Sequence, residues 1–308
     1  MMRLVAPDRP GIGLSSYQPN RCILDWPADI LALADHLKIS QFYILGASGG
    51  APYALACIKK IPKERLLGVS VVSGLYPTKF GTAGMTLQSR MLFWLAPWLT
   101  GLTSLLFDMS MGKAARCSDP QVFEDMLEQE VDNRHSGDQV VMKDPNHWPT
   151  FVAMMREAFA HESRGASWEA RLKGSEWGFD LSQLYIDGDT GCPLTLWHGT
   201  EDLNCPAAMV KQAKVMMPGC KIQLLEGEGH VSFIFKKADE ILEDLIGIEE
   251  EEEFIQTAAT FKSCMTTMYR AAIVASDGIN DMAPRGGVLR FTHADTLFTS
   301  VVNFHTVP

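Results

Sequence analysis

The sequence predicts an α/β fold, a mostly parallel sheet flanked by helices with an inserted helical lid, and three observations carry that expectation. Short apolar runs at residues 42–45, 67–72, 194–198 and 222–225 have strand length and end in glycine-rich or charged turns. The first of them is followed at once by a helix-favouring run, Ala51-Pro52-Tyr53-Ala54-Leu55-Ala56, and a strand that leads into a helix suits a parallel sheet, whose neighbouring strands need a crossover. From about 80 to 175 the pattern changes to a Met-, Trp- and Phe-rich stretch with little strand signal, which reads as helices inserted between two strands.

Taken in order, Leu4-Val5-Ala6 is the first short apolar run. Residues 24–37 place Ile30, Leu33, Ala34 and Leu37 on one helical face, with Asp25 as N-cap and Pro27 in the first turn. The strand at 42–45 leads through a glycine-rich turn into a helix over about 51–60, stopped near Pro62. Residues 236–246 read as the final helix, packing Ile241, Leu242 and Leu245. Glu249 to Glu253 form a run of five like charges, the mark of a solvated helix end or linker. Beyond it the sequence offers a helix around 254–274 and a strand-like Val288-Leu289-Arg290-Phe291, and the tail is expected to be poorly ordered or loosely docked, with repair of the sheet as the lesser option. The expected divisions are 1–78 and 191–247 for the two parts of the core, 79–190 for the lid and 248–308 for the extension.

Ser48 stands in Gly46-Ala47-Ser48-Gly49-Gly50, between the strand and the helix. A serine on so sharp a turn has its hydroxyl lifted clear of the sheet edge, with the N–H of Gly49 aimed at whatever the oxygen attacks. Leu194-Thr195-Leu196-Trp197-His198 runs into Gly199-Thr200-Glu201-Asp202, setting a carboxylate on a loop after a strand. Ile222-Gln223-Leu224-Leu225 leads through Glu226-Gly227-Glu228-Gly229 to His230. Each residue also has a plainer reading: Ser48 as a turn residue, Asp202 as a turn or cap aspartate with Glu201 competing beside it, His230 as a loop histidine with His198 as its nearest rival.

The order Ser, Asp, His on strand ends resembles the α/β-hydrolase superfamily. Ala6-Pro7-Asp8-Arg9-Pro10-Gly11-Ile12-Gly13-Leu14-Ser15 extends the resemblance, being similar to the D-R-P-G-x-G-x-S segment after that family's fourth strand. The likeness covers about residues 3 to 246 and is weakest between about 80 and 175. It implies Ser48 as nucleophile, His230 as the base that takes its proton, Asp202 as the carboxylate fixing the imidazole tautomer, and Gly49 as one oxyanion donor. Ser48 argues against dehalogenase and epoxide-hydrolase chemistry, which use an aspartate at that turn.

The resemblance also implies a second oxyanion donor from a loop after the third strand, yet only seven residues precede Asp8 and no H-G-x-P segment stands upstream. Loss of one such donor costs on the order of 2 to 4 kcal/mol of transition-state stabilisation, so a weak or inactive enzyme is expected unless another group substitutes. Without a third strand, Leu4-Val5-Ala6 is expected to pair directly with residues 42–45 or to stay unpaired. The readings are a sequence missing its start, a naturally shortened protein, or a sheet repaired by another segment, and the intact motifs favour the first.

Composition fits a soluble globular chain of 308 residues with 46% hydrophobic and 21% charged residues. A formal net charge of −10 argues against nucleic-acid binding, since phosphates need a basic stripe. Seven scattered cysteines with no C-x-x-C pair read as reduced thiols of a cytoplasmic protein, with no metal site and no disulfide framework; a lost N-terminal signal stays open if the start is missing. The apolar stretch from Met91 to Phe107 is broken by Pro97 and Gly101 and is too short to span a membrane. Within it, Phe93, Trp94, Trp98 and Phe107 are candidates to line an apolar pocket over Ser48, packing being the alternative. Glu162, Trp168 and Trp177-Gly178-Phe179-Asp180 are similar to segments of some lidded hydrolases and are read as packing residues. The expected function is hydrolysis of an ester, thioester or lactone of a small to medium apolar molecule, with no metal or organic cofactor. The alternatives are an impaired binding protein of the same fold, or acyl transfer or carbon–carbon cleavage on the same three residues.

Overall fold

The computed structural model describes residues 2–159, 162–186, 191–247 and 271–276. The first strand, β1 (Met2–Val5), is followed by the turns of residues 8–16 and then by α1 (Trp26–His36), β2 (Phe42–Ala47), α2 (Ala51–Lys60) and β3 (Leu66–Val72). A helical segment follows: α3 (Leu87–Leu95), α4 (Thr100–Phe107), a π-turn at Asp108–Gly112 running into α5 (Lys113–Ala115), α6 (Pro120–Asp132), α7 (Ser136–Met142), α8 (Trp148–Glu157) and α9 (Arg164–Gly174). The chain then returns through β4 (Leu194–Gly199), α10 (Ala207–Met216), β5 (Lys221–Leu225) and α11 (Ala238–Ile246) to β6 (Ala271–Ser276).

The sheet order is β1-β6-β2-β3-β4-β5, with β2 to β5 all parallel. Alternation along each strand sends successive side chains to opposite faces. Ile44, Val71 and Leu196 join the α1, α2 and α10 side, where Ile30, Leu33, Tyr53, Leu55 and Met209 are buried. Leu45, Val72 and Trp197 join the other, with Ile241 and Leu242 of α11 and Phe123 and Leu127 of α6. Both faces are therefore apolar, as a sheet covered on both sides requires. Fully burying each such Leu, Ile or Phe contributes about 1.5 to 3 kcal/mol.

Two expectations about this core are corrected. β1 pairs neither with β2 nor with nothing: β6, from the extension, lies antiparallel between them, Ile273 opposite Val5 on one side and Ile44 on the other. Residues 271–274, read from the sequence as the end of a helix, are strand, because two unpaired sheet edges offer their backbone more hydrogen bonds than an isolated helix end does. The rest of the expected helix at 254–270, the acidic run at 249–253 and the strand-like 288–291 lie outside the described residues. The second correction is local: Asp25 does occupy the N-cap of α1, but its side chain makes no cap bond to that helix and instead accepts from the N–H of Cys22 at 2.7 Å.

Parallel strands bring their C-terminal ends to one edge, and that is where loops can gather functional groups. Here the edge carries Ser48 after β2, Ser73 after β3, Asp202 after β4 and His230 after β5.

Candidate active site

The turn after β2 is built tightly. Ser48 adopts φ +50°, a left-handed conformation that a residue with a side chain holds only when its surroundings enforce it, at a cost of about 1 to 3 kcal/mol. The enforcement is visible: the carbonyl of Ser48 accepts from the N–H of Leu75 at 3.0 Å, and Gly46 lets α2 close on β2, since a Cβ there would sit 2.7 Å from that of Ala54. Ser48 itself is buried.

His230 Nε2 lies 2.9 Å from Ser48 Oγ, and its Nδ1 lies 2.7 Å from Asp202 Oδ2. A carboxylate only accepts, so Nδ1 carries the proton, and the neutral ring then presents Nε2 as the acceptor for the serine O–H. Asp202 Oδ1 takes the N–H groups of Asn204 and Cys205, both at 2.8 Å. Burial pushes the Asp202 carboxyl up, but His230 with its hydrogen bond, His198 and the Cys205 N–H outweigh burial and hold it below the usual carboxylate range.

The rivals have other partners. Glu201 points outward, 3.1 Å from His135 Nε2. His198 Nε2 donates to the carbonyl of Cys205 at 2.6 Å and stands 3.5 Å from Asp202 Oδ2, and burial lowers its pKa. Asp202, Cys205 and His230 hold potential metal-ligand atoms within 4.8 Å of one another. The donor set suits a cation poorly: burial raises the Cys205 thiol well above its ordinary value, and both nitrogens of His230 already face hydrogen-bond partners.

Several supporting residues gave no signal in the sequence. Asp138 of α7 is buried and accepts from three consecutive backbone N–H groups of the histidine loop: His230 at 2.9 Å, Val231 at 2.7 Å and Ser232 at 2.9 Å. Gly229 admits this carboxylate, since a Cβ there would stand 2.6 Å from Asp138 Oδ1. Ser73 Oγ donates to the His230 carbonyl at 2.6 Å, so both polar ends of that residue's backbone are held.

On the other side of Ser48 lies a buried ionic cluster. Glu169 of α9 accepts from Arg9 Nε at 2.9 Å, from Tyr53 Oη at 2.6 Å and from Arg21, and it faces Lys173 Nζ at 3.1 Å. Burial drives the Glu169 carboxyl up, yet Arg9, Lys173 and Arg21 outweigh burial and hold it well below its ordinary value. Arg9 thus ties the turn after β1 to α9, and Trp168 adds a bond from Nε1 to the Arg21 carbonyl at 3.0 Å. Glu162 is exposed and pairs with Arg164, Trp177 and Phe179 pack in the core, and Asp180 caps the turn at Ser182.

The four aromatic pocket candidates divide. Phe93 and Phe107 are partly buried against the core. Trp94 and Trp98, at 71% and 80% exposed, stand on the surface of α3 and of the turn after it.

The chain belongs to the alpha/beta hydrolase family, whose model matches residues 2–244. Among solved structures it is similar to a bromoperoxidase from Bacillus anthracis, at 18% identity over 81% of this chain and 80% of that one, with a TM-score of 0.51. It is also similar to a hydrolase from Pseudomonas aeruginosa PA01, at 15% identity over 78% of each chain, with a TM-score of 0.50. An enol-lactonase from Burkholderia xenovorans LB400 aligns at 19% identity over 81% of this chain and 79% of that one, with a TM-score of 0.48. At such identities the likeness is one of fold. No curated protein matches the chain. Among the described residues no helix is long and apolar enough to cross a membrane.

Proposed function

We propose that this family member is a serine hydrolase that cleaves an ester, thioester or lactone of a small to medium apolar molecule. The observation that carries the reading is the hydrogen-bonded line from Ser48 Oγ through His230 to Asp202, at 2.9 and 2.7 Å, on the strained turn after β2. A serine hydroxyl is a weak nucleophile at neutral pH, and a neutral imidazole acceptor beside it is what activates it.

In this reading Ser48 Oγ attacks the carbonyl carbon while its proton passes to His230 Nε2. The carbonyl oxygen takes the negative charge and receives a hydrogen bond from the Gly49 N–H. The imidazolium, stabilised by Asp202, then protonates the leaving alcohol or thiol, and a water activated by the same imidazole hydrolyses the acyl-serine. Residues 79–190 act as a lid over the site, and Phe93 and Phe107 are its apolar contribution on the substrate side, supported by their partial burial. The described cysteines are free thiols, which suits a reducing compartment.

The test is turnover of a series of p-nitrophenyl esters of increasing acyl length. Wild-type protein should hydrolyse them, and Ser48→Ala should lose at least about 10³-fold in kcat. Equal activity in the two proteins would refute the assignment.

A further inference from the structure

Lys173 lies where no motif directed attention. It sits at the C-terminal end of α9, is only 8% exposed, and brings its ammonium to the turn that carries Ser48. A Cβ built on Gly49 would stand 2.6 Å from Lys173 Nζ and 2.8 Å from Cε. Since a Cβ is about 1.5 Å from its Cα, the ammonium is within roughly 4 Å of the Gly49 Cα. The residue after Ser48 is therefore a glycine for a reason beyond the turn: the lysine occupies the space a side chain would fill.

An ammonium has three N–H donors. Among the described residues Lys173 faces one acceptor, Glu169 Oε2 at 3.1 Å, and that carboxylate is shared with Arg9, Arg21 and Tyr53. Two donors are thus left in a largely buried setting, where an unused donor is costly. Burial, with Arg9 and Arg21 nearby, lowers the Lys173 pKa, and Glu169 opposes that shift. The positive end of α2, which starts at Ala51, lies on the same side.

We infer that Lys173 is a catalytic residue, its ammonium being the second donor to the oxygen that becomes negative when Ser48 attacks, opposite the Gly49 N–H. The inference rests on the serine-hydrolase reading above. Lys173 transfers no proton in this role; it donates a hydrogen bond that strengthens as charge develops, so its contribution falls on the transition state.

The experiment compares wild type, Ser48→Ala, Lys173→Met and Gly49→Ala for hydrolysis of p-nitrophenyl butyrate and for inhibition by butaneboronic acid, a mimic of the tetrahedral adduct. Lys173→Met should lower kcat by about 10²- to 10³-fold with KM changed by less than about threefold, and boronate affinity should fall with kcat/KM. Gly49→Ala keeps the lysine but pushes its flexible end away, and kcat should drop by about tenfold or more. Where Lys173→Met does not fold, as judged by its melting curve, Gly49→Ala decides. Turnover that depends on Ser48 while kcat stays within about threefold of wild type, or a change in KM alone, overturns the role of Lys173 and leaves the hydrolase reading intact. Absence of Ser48-dependent turnover in the wild type overturns both.

Discussion

Asp138 offers the most demanding test of how the histidine is held. Its carboxylate accepts from the N–H groups of His230, Val231 and Ser232 at 2.9, 2.7 and 2.9 Å, and all three are buried. Hydrogen bonds to a charged acceptor contribute about 1.5 to 3 kcal/mol each, and three on one carboxylate are not additive, so Asp138→Ala should cost about 3 to 5 kcal/mol. Against a total stability of about 5 to 15 kcal/mol that loss is large. Asp138→Asn separates charge from shape. Its Oδ1 can still serve Val231 and Ser232, but its amide would present a donor to the His230 N–H, so a smaller cost of about 1 to 3 kcal/mol is expected. A shift of about 1 Å in the ring would lower kcat by about 10²-fold even in protein that remains folded, because Ser48 would no longer be aligned with Nε2. Urea denaturation measures the first effect, and ester turnover at a temperature where both variants are folded measures the second. Both variants within about 0.5 kcal/mol of wild type, with unchanged kcat, would show that the loop is held by Ser73 and its own turn alone.

Two further outcomes follow from the same structure. Glu169 has a depressed pKa in the folded state, so it contributes stability above its unfolded value near 4.3, and that contribution is lost as pH falls towards the folded value. Glu169→Gln should therefore be less stable than wild type at pH 7 by about 3 to 5 kcal/mol and show a shallower loss of stability below about pH 4, read from urea midpoints against pH. Ile273→Pro, which removes an N–H in the strand paired on both sides with Val5 and Ile44, should destabilise by about 3 kcal/mol or more in thermal melts, whereas an unaffected melt would show that β6 contributes nothing to the sheet.

What the sequence made legible is local. The strand-turn-helix around Ser48 and the carboxylate and histidine after β4 and β5 stand beside sharp glycine and strand signals. A chain that folds into parallel strands gathers such ends at one edge without further instruction. What it hid is tertiary. Asp138 and Lys173 sit on short amphipathic helices where a charged residue looks like a solvated face, and only the approach of the histidine loop and of Gly49 gives them partners. Alanines at 271 and 272 read as helix formers, yet the open edges of β1 and β2 override that preference.

The central claim is that Ser48 is the activated nucleophile. Treating the folded protein with a fluorophosphonate and mapping the product by mass spectrometry tests it most directly. The account predicts a single phosphonyl adduct on the peptide bearing Ser48, lost in Ser48→Ala and strongly slowed in His230→Ala. Well-folded wild-type protein that takes no label, or labels at another residue, would contradict it.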